Sequence, residues 1–174
     1  MIRAITQSDN AAADQMWALL GEPAAAAAAV HQVLAEGLNR DVVVQAEQIR
    51  PPYSPYGQTV WSQADAAHFA WALPCIADAE PVLTQMHNIT ADQRWGMATN
   101  TEVGTKGGWG PDPDGTYLAR QIAVVHTESG SRGVALAAKP DDGSFTTATM
   151  ILNMFADWIT QHDHELPSRE CSAQ

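Results

Sequence analysis

The hydrophobic pattern divides the chain into a helical first part and an alternating second part. Up to about residue 98, apolar residues recur three or four positions apart, which is typical of helices with one buried side. From Thr101 the spacing changes to two, which is typical of half-buried strands and marks a lobe boundary near residue 100. We therefore predict an α+β fold with a helical lobe over residues 1–98. An antiparallel sheet with a C-terminal helix follows over residues 99–166, and residues 167–174 form a tail.

Start and stop signals locate the predicted helices. Ser62 is a helix-capping residue, Gly37 is a stop signal, and Thr90 with Gln93 has the spacing of a capping box. Residues 39–60 have no helical period, and only Val42 to Val44 are strand-like. The helices are predicted over residues 1–7, 11–20, 23–37, 62–73 and 80–87.

Three strands and one long helix are predicted after residue 100. Short turns, Pro113-Asp114-Gly115 and Ser129-Gly130-Ser131, join the strands, so neighbouring strands must run antiparallel. The strands are predicted over residues 101–109, 116–127 and 133–138. The helix is predicted over residues 146–161 and should cover one face of the sheet. Its predicted buried stripe consists of Ile151, Met154, Phe155, Trp158 and Ile159.

Composition and charge narrow the function classes. The chain has 174 residues, of which 45% are hydrophobic and 17% charged, as in a globular domain. Its net charge of -11 repels nucleic acid and anionic membranes, so neither is an expected partner. No apolar run has the length of a membrane span, and the first residues lack the apolar core of a signal peptide.

The cysteines and histidines do not form a recognisable metal site. Cys75 and Cys171 have the spacing of neither a disulfide framework nor a zinc motif, and a single bridge between them is compatible with the sequence. The six histidines are scattered along the chain. We therefore expect no metal and no cofactor.

Two short stretches are the candidates for chemistry. Lys106 lies in a glycine-rich strand, residues 104–110, where missing side chains let a ligand approach the backbone. If Ser8-Asp9-Asn10 is extended, Ser8 and Asn10 face one side and Asp9 faces the other. The alternative is that the tripeptide only caps a helix, since Ser, Asp and Asn are the preferred capping residues. Arg120, inside the second strand, is either a carboxylate partner or a surface residue.

Together, Ser8-Asp9-Asn10 and the later Lys106-Gly107-Gly108 resemble motifs of the serine β-lactamases and D-alanyl-D-alanine peptidases. The longer stretch through Trp109 and Gly110 most resembles β-lactamase-related proteins of actinobacteria, many of which are secreted. The resemblance covers nearly the whole chain. It implies the C-terminal portion of a β-lactamase/transpeptidase-like fold, and a location outside the cytoplasm.

The resemblance implies a role for each motif residue. Ser8 would relay a proton to the leaving nitrogen, and Lys106 would assist it and bind the ligand carboxylate. Asn10 would hold an acylamide group, Gly108 would leave room for the acyl group, and the Trp109 N–H would be an oxyanion donor. Asp9 would be structural. The implied ligand is a β-lactam or a peptidoglycan-like peptide, whose acyl group is transferred to serine.

The chain also departs from the family pattern. None of its eight serines is followed three residues later by Lys, so the Ser-x-x-Lys nucleophile motif does not occur. In the family that motif, with a helix and two strands, lies upstream of Ser-Asp-Asn, and without those strands the edge beside Gly133–Ala138 would be open to pairing. Gly107 replaces a Thr or Ser, and Glu47 is a candidate loop base by position only. The alternative function is therefore a non-catalytic pseudoenzyme or cell-envelope binding module.

Overall fold

The computed structural model describes residues 1–38 and 41–171. The order of elements confirms the predicted α+β fold, in which helices precede a three-stranded meander and a long final helix. The helices are α1 (Ile2–Thr6), α2 (Asn10–Leu19), α3 (Pro23–Leu38), α4 (Gln63–Ala72), α5 (Glu80–Met86) and α6 (Phe145–Gln161), and the strands are β1 (Gly104–Pro111), β2 (Tyr117–Thr127) and β3 (Gly130–Ala138). Short 3-10 turns lie at Pro55–Gln58, Leu73–Cys75, Ala91–Gln93, Gly96–Thr99 and Asp163–Glu165.

One of the two capping predictions is confirmed and the other is wrong. The Ser62 hydroxyl accepts from the Asp65 N–H at 3.1 Å and donates to the Asp65 carboxylate at 2.6 Å, which starts α4. Thr90 and Gln93 form no capping box, because both side chains bond to the N-terminal segment instead. The Thr90 hydroxyl donates to the Thr6 carbonyl at 3.0 Å, and Gln93 accepts from Ser8.

The sheet is antiparallel in the order β1-β2-β3, with Gly104 paired to Val124 and Ala119 paired to Ala138. The predicted start of β3 at Gly133 is wrong by three residues. The turn consists of Glu128 and Ser129 alone, and Gly130 opens the strand with a φ of +117°, a value that favours glycine.

The strand-like stretch Val42 to Val44 is not a strand. Val42 and Val44 are buried and Val43 is exposed, so the side chains alternate as they would in a strand. No strand of the described residues pairs with this stretch. Alternation alone shows which side chains are buried, but backbone pairing needs a neighbouring strand with free N–H and C=O groups.

The sheet lies between two groups of helices, because its residues alternate between two cores. Ala119, Ala123 and Leu136 pack with Leu152 of α6 in one core. On the opposite face, Val124 packs with residues of α4 and α5, namely Ala70, Leu83 and Met86. The period-two pattern of β2 therefore serves two buried faces rather than one.

The predicted buried stripe of α6 is wrong. The buried residues of this helix are Ala148, Leu152 and Ala156, and only Ile151 and Ile159 of the predicted stripe pack against the core. Met154, Phe155 and Trp158 are 69%, 46% and 53% exposed. The two alanines let α6 approach the sheet closely, which turns the larger apolar residues to its outer sides.

A disulfide between Cys75 and Cys171 fastens the end of the described chain to the helical part. Arg169 continues the sheet by one bridge, exchanging backbone hydrogen bonds with Ser131 at 2.9 and 3.0 Å. The Arg169 carbonyl also accepts from the indole N–H of Trp71 at 3.3 Å. Residues 167–171 therefore lie across the beginning of β3.

The lengths and hydrophobicity of the described helices bear on whether one of them could span a membrane. No single helix among them is long and apolar enough to cross a bilayer. Helices α2 and α3 have the required length and composition only when taken together, and a bend of 96° separates them.

Candidate functional site

Ser8 and Lys106, which are far apart in the sequence, are in direct contact. The Lys106 ammonium donates hydrogen bonds to Ser8 Oγ and to the carbonyl oxygen of Gly107. Lys106 projects from β1, and Ser8 lies in the turn between α1 and α2. The fold therefore brings a hydroxyl and a cationic side chain together at the junction of the helices and the sheet.

Ser8-Asp9-Asn10 is not extended, so the condition for Ser8 and Asn10 to face the same side is not met, whereas the alternative that the tripeptide caps a helix holds for Asp9. Ser8 has a φ of +50°, in the left-handed region, so its neighbours do not alternate as in a strand. Asp9 is the N-cap of α2, where its carboxylate accepts from the Ala12 N–H at 2.9 Å. Asn10 is the exposed first residue of that helix, and its side chain makes no hydrogen bond with another described residue.

Gln93 is the site residue that the sequence did not reveal. Its side chain is buried, with 7% of the residue exposed, and its Oε1 accepts from the Ser8 hydroxyl at 2.7 Å. Next to it, the Thr90 N–H donates to the Thr6 carbonyl at 3.0 Å, which ties this segment to α1. No sequence spacing links residues 8 and 93, because only the tertiary contact between α1 and this loop brings them together.

Lys106 carries a charge that no described residue neutralises. Burial lowers the pKa of Lys106 from 10.5 to about 8, because a charged group is disfavoured away from water. None of the ion pairs among the described residues includes it. The Lys106 ammonium is therefore available to form an ion pair with an anionic group that enters the site.

Arg120 places a second cation on the same side of the sheet. In the register of β1 and β2, Arg120 lies opposite Gly108, and Ile122 lies opposite Lys106. Paired residues project from the same face, so Arg120 is a diagonal neighbour of Lys106. Arg120 is exposed and forms no ion pair with a described residue. This face of the sheet therefore carries two positive groups next to Gly108, which has no side chain.

The glycines of β1 differ in the space around them. A Cβ on Gly108 would meet nothing within 4 Å, so this stretch of backbone is open to an approaching ligand. A Cβ on Gly107 would lie 2.7 Å from the ring of Trp95. The absence of a Thr or Ser at position 107 therefore has a physical reason, since the buried Trp95 ring occupies the space that its side chain would need.

The ring of Trp109 lies on the face of β1 opposite Lys106. Its centroid is 5.5 Å from that of Phe145 in α6 and 6.0 Å from that of Trp95. Side chains alternate along a strand, so positions 107 and 109 share the α6 side while 106 and 108 share the other. Only the backbone of Trp109 remains available to a ligand beside Gly108.

Glu47, the candidate loop base, forms no hydrogen bond or ion pair with Ser8 or Lys106. Its carboxylate is exposed and makes no hydrogen bond or ion pair with a described residue, although its backbone carbonyl accepts from Gln45 at 2.9 Å. The later part of the same loop is attached to α2, because Ser54 and Tyr56 both donate to the Asp14 carboxylate, at 2.6 and 2.7 Å. The arrangement gives Glu47 no contact through which to activate a water at Ser8.

The donor atoms of the site suit an anion better than a metal ion. Ser8, Lys106 and Gln93 supply a hydroxyl, an ammonium and an amide, and an ammonium repels cations. Elsewhere in the described part of the chain, no three His, Cys, Asp or Glu side chains are grouped as metal ligands. The site is therefore equipped for anion binding and proton transfer.

Replacing Gly107 with Thr, the residue type that the family resemblance leads one to expect, should destabilise the fold. The new side chain must displace the Trp95 ring, at a cost of about 1–3 kcal/mol in the free energy of unfolding. Urea denaturation measures this, with Gly108→Thr at the open neighbouring position as the matched control. In a Trp95→Leu background the cost of Gly107→Thr should shrink, and an unchanged cost would contradict the proposed overlap.

The left-handed backbone at Ser8 gives a second prediction. Ser8→Gly and Ser8→Ala both remove the hydroxyl, but only glycine adopts a φ of +50° without strain. The glycine variant should therefore be more stable than the alanine variant by about 1 kcal/mol. Urea denaturation of the two variants tests this. Asp78→Gly and Asp78→Ala are the matched control pair, because Asp78 has a similar φ of +60° and should show a similar difference. Equal stability of the two Ser8 variants would show that the turn has relaxed.

Comparisons with known proteins identify the fold. No protein-family profile matches the sequence, and no curated protein sequence matches it. Three solved structures that match are class A β-lactamases reconstructed as ancestors of those of Gram-negative bacteria. One is the ancestral enzyme, with 18% identity and a TM-score of 0.55 over 90% of this chain. Two are engineered variants, with 19% and 18% identity and TM-scores of 0.56 and 0.57, and the first was solved with the transition-state analogue 5(6)-nitrobenzotriazole.

These matches confirm the predicted β-lactamase-like fold. The aligned region includes 92% of this chain in two of the three comparisons and 90% in the third. The chain spans 63% to 64% of the length of those enzymes. At this level of identity the match establishes the fold alone.

Proposed function

We propose that this chain carries the ligand-recognition and proton-transfer part of a β-lactamase-like or D-alanyl-D-alanine peptidase-like serine acyl-transfer site. The ligand is a β-lactam or a peptidoglycan-like peptide with a free carboxylate. Lys106 and Arg120 bind that carboxylate, Ser8 delivers a proton to the leaving nitrogen, and the Trp109 N–H beside Gly108 polarises the acyl carbonyl. Asn10, at the start of α2, is assigned to the acylamide group.

The contact between the unneutralised Lys106 ammonium and the Ser8 hydroxyl carries the proposal. An ammonium that donates to a hydroxyl oxygen favours release of the hydroxyl proton, because it stabilises the negative charge left on oxygen. When the C–N bond of the ligand breaks, the Ser8 proton moves to the nitrogen and a Lys106 proton replaces it on Ser8. The acyl group forms an ester with a serine hydroxyl of the Ser-x-x-Lys type, which these 174 residues do not contain, and the proton of that hydroxyl passes to the Lys of the same motif.

We also propose that the protein acts outside the cytoplasm, as the actinobacterial type that its glycine-rich motif resembles. The disulfide between Cys75 and Cys171 supports this location, since such bonds persist in oxidising compartments. The redox state of the two cysteines in protein isolated from its native source tests the proposal. Free thiols in that material would contradict it.

Calorimetric titration with benzylpenicillin tests the recognition part of the proposal. Lys106→Met and Arg120→Leu should each weaken binding at least tenfold, because each removes a cation from the carboxylate site. Lys139→Met is the matched control, since Lys139 is the second of the two lysines in the chain and pairs with Asp112 on the surface. Equal affinities of the wild type and Lys106→Met would overturn the proposal, as would an absence of binding to the wild type.

A second candidate function is a non-catalytic binding module of the same fold. It is favoured by Trp95, which fills the space beside Gly107, and by Glu47, whose carboxylate has no contact with the site. Intact mass after incubation with the penicillin, together with its residual concentration, separates the two functions. Reversible binding with an unchanged protein mass and intact drug would show a binding module, whereas an adduct or hydrolysed drug would show acyl transfer.

A further inference from the structure

Gln93 is fixed in place more firmly than an ordinary surface glutamine. Its backbone N–H donates to the Thr90 carbonyl at 2.9 Å, and its own carbonyl accepts from the Trp95 N–H at 3.0 Å. Its side chain is buried and ends 2.7 Å from Ser8 Oγ. The amide is therefore held against the one hydroxyl that Lys106 also contacts.

The direction of the hydrogen bonds follows from the charge on Lys106. An ammonium has only donors, so the Ser8 oxygen must accept from Nζ. The single Ser8 proton is then left for the other partner, Gln93, which must present its amide oxygen rather than its nitrogen. This order, Lys106 to Ser8 to Gln93, holds the hydroxyl proton away from Lys106 and keeps the oxygen lone pair towards it.

We propose that Gln93 is the positioning residue of the Ser8 proton relay. The inference rests on the function proposed above. An amide oxygen accepts a hydrogen bond but is too weakly basic to take the proton. In the free protein Gln93 therefore keeps the Ser8 proton directed towards its own amide oxygen by a hydrogen bond. A basic leaving nitrogen takes that proton from Ser8 as the C–N bond breaks, and Lys106 Nζ transfers one proton to Ser8 Oγ. One proton leaves each donor and one reaches each acceptor, with no change of oxidation state.

Two substitutions at Gln93 should shift the pKa of Lys106 in opposite directions. Gln93→Glu places a negative charge one hydroxyl away from the ammonium, which stabilises the charged lysine and raises its pKa. Gln93→Met has a similar length but no acceptor, so the Ser8 proton turns towards Lys106. A hydroxyl that donates to nitrogen favours the neutral amine, and the pKa of Lys106 should fall.

The chain allows this to be measured directly because it contains only two lysines, Lys106 and Lys139. Carbon-13 NMR of labelled lysine Cε atoms follows both through a pH titration, and Lys139 serves as the internal reference. Gln121→Met is the matched control variant, since Gln121 is also buried but bonds to Trp95 and Met97. We expect an upward shift for Gln93→Glu, a downward shift for Gln93→Met, and no shift for Gln121→Met or for Lys139.

A purely structural role for Gln93 predicts something different. Disturbed packing would move the pKa of Lys106 in the same direction in both Gln93 variants, or would leave it unchanged, and either result overturns the inference. Failure of the function proposed above would show itself separately, as an absence of penicillin binding by a wild type whose two Gln93 variants still shift in opposite directions.

Discussion

Lys106→Met is expected to stabilise the protein in a pH-dependent way. Burial lowers the pKa of Lys106 from 10.5 to about 8, so below pH 8 the folded protein holds a charge that is disfavoured by about 3 kcal/mol. Between pH 8 and 10.5 the unfolded chain binds more protons than the folded one, and the wild type therefore gains stability as the pH rises. The advantage of the Met variant should fall by about 2 to 3 kcal/mol between pH 7 and pH 10.

Urea denaturation of the wild type and the variant across this pH range measures the effect, since other titrating groups cancel in the difference. Lys139→Met is the matched control with the opposite sign. The hydrogen bond to Asp112 raises the pKa of the exposed Lys139. The contribution of Lys139 to the free energy of unfolding is therefore lost as the pH rises through this raised pKa. A difference between Lys106→Met and the wild type that is independent of pH would show that Lys106 is not buried as a charge.

Gly133→Ala is expected to be strongly destabilising. A Cβ at this position would overlap the Ala67 carbonyl oxygen and the Trp71 nitrogen, which are backbone atoms of α4. No rotamer change relieves an overlap with backbone, so α4 would have to move away from β3. We expect a loss of about 3 kcal/mol or more in the free energy of unfolding, at the upper end of the cost of overpacking.

Gly110→Ala is the matched control for this prediction, because a Cβ at Gly110 meets nothing within 4 Å. Chemical denaturation of both variants gives the comparison, and the Gly110 variant should remain within about 0.5 kcal/mol of the wild type. If Gly133→Ala were equally harmless, the close packing of α4 on β3 would be contradicted.

Local signals predicted most of the fold because they act through neighbouring residues. The cap at Ser62 and the meander turns depend on contacts a few residues apart, and the structure shows both the cap and the three-stranded meander. The predicted buried face of α6 is wrong for the opposite reason. Its buried side is chosen by how closely Ala148 and Ala156 fit the sheet, and hydrophobicity alone favours the larger residues.

Whether a residue of the site could be predicted depends in the same way on whether local or tertiary contacts position it. Ser8 and Lys106 could be paired only through a family resemblance, since no short-range pattern links them. The sequence predicts a capping role for Gln93, because its spacing from Thr90 fits that local motif, whereas its contact with Ser8 depends on tertiary packing. The absence of a side chain at Gly107 is likewise explained only by the tertiary structure, which places the ring of Trp95 against this position of β1.

The central claim is that Lys106 is a half-buried cation without an ion-pair partner among the described residues, and that it binds a ligand carboxylate. One NMR titration tests this claim most directly. With labelled lysine Cε atoms, Lys106 should titrate near pH 8 in the free protein, well separated from Lys139. In the presence of saturating benzylpenicillin its pKa should rise, because the ligand carboxylate stabilises the ammonium, while Lys139 stays unchanged. A Lys106 that titrates near 10.5 in the free protein, or that does not respond to the penicillin, would contradict the account.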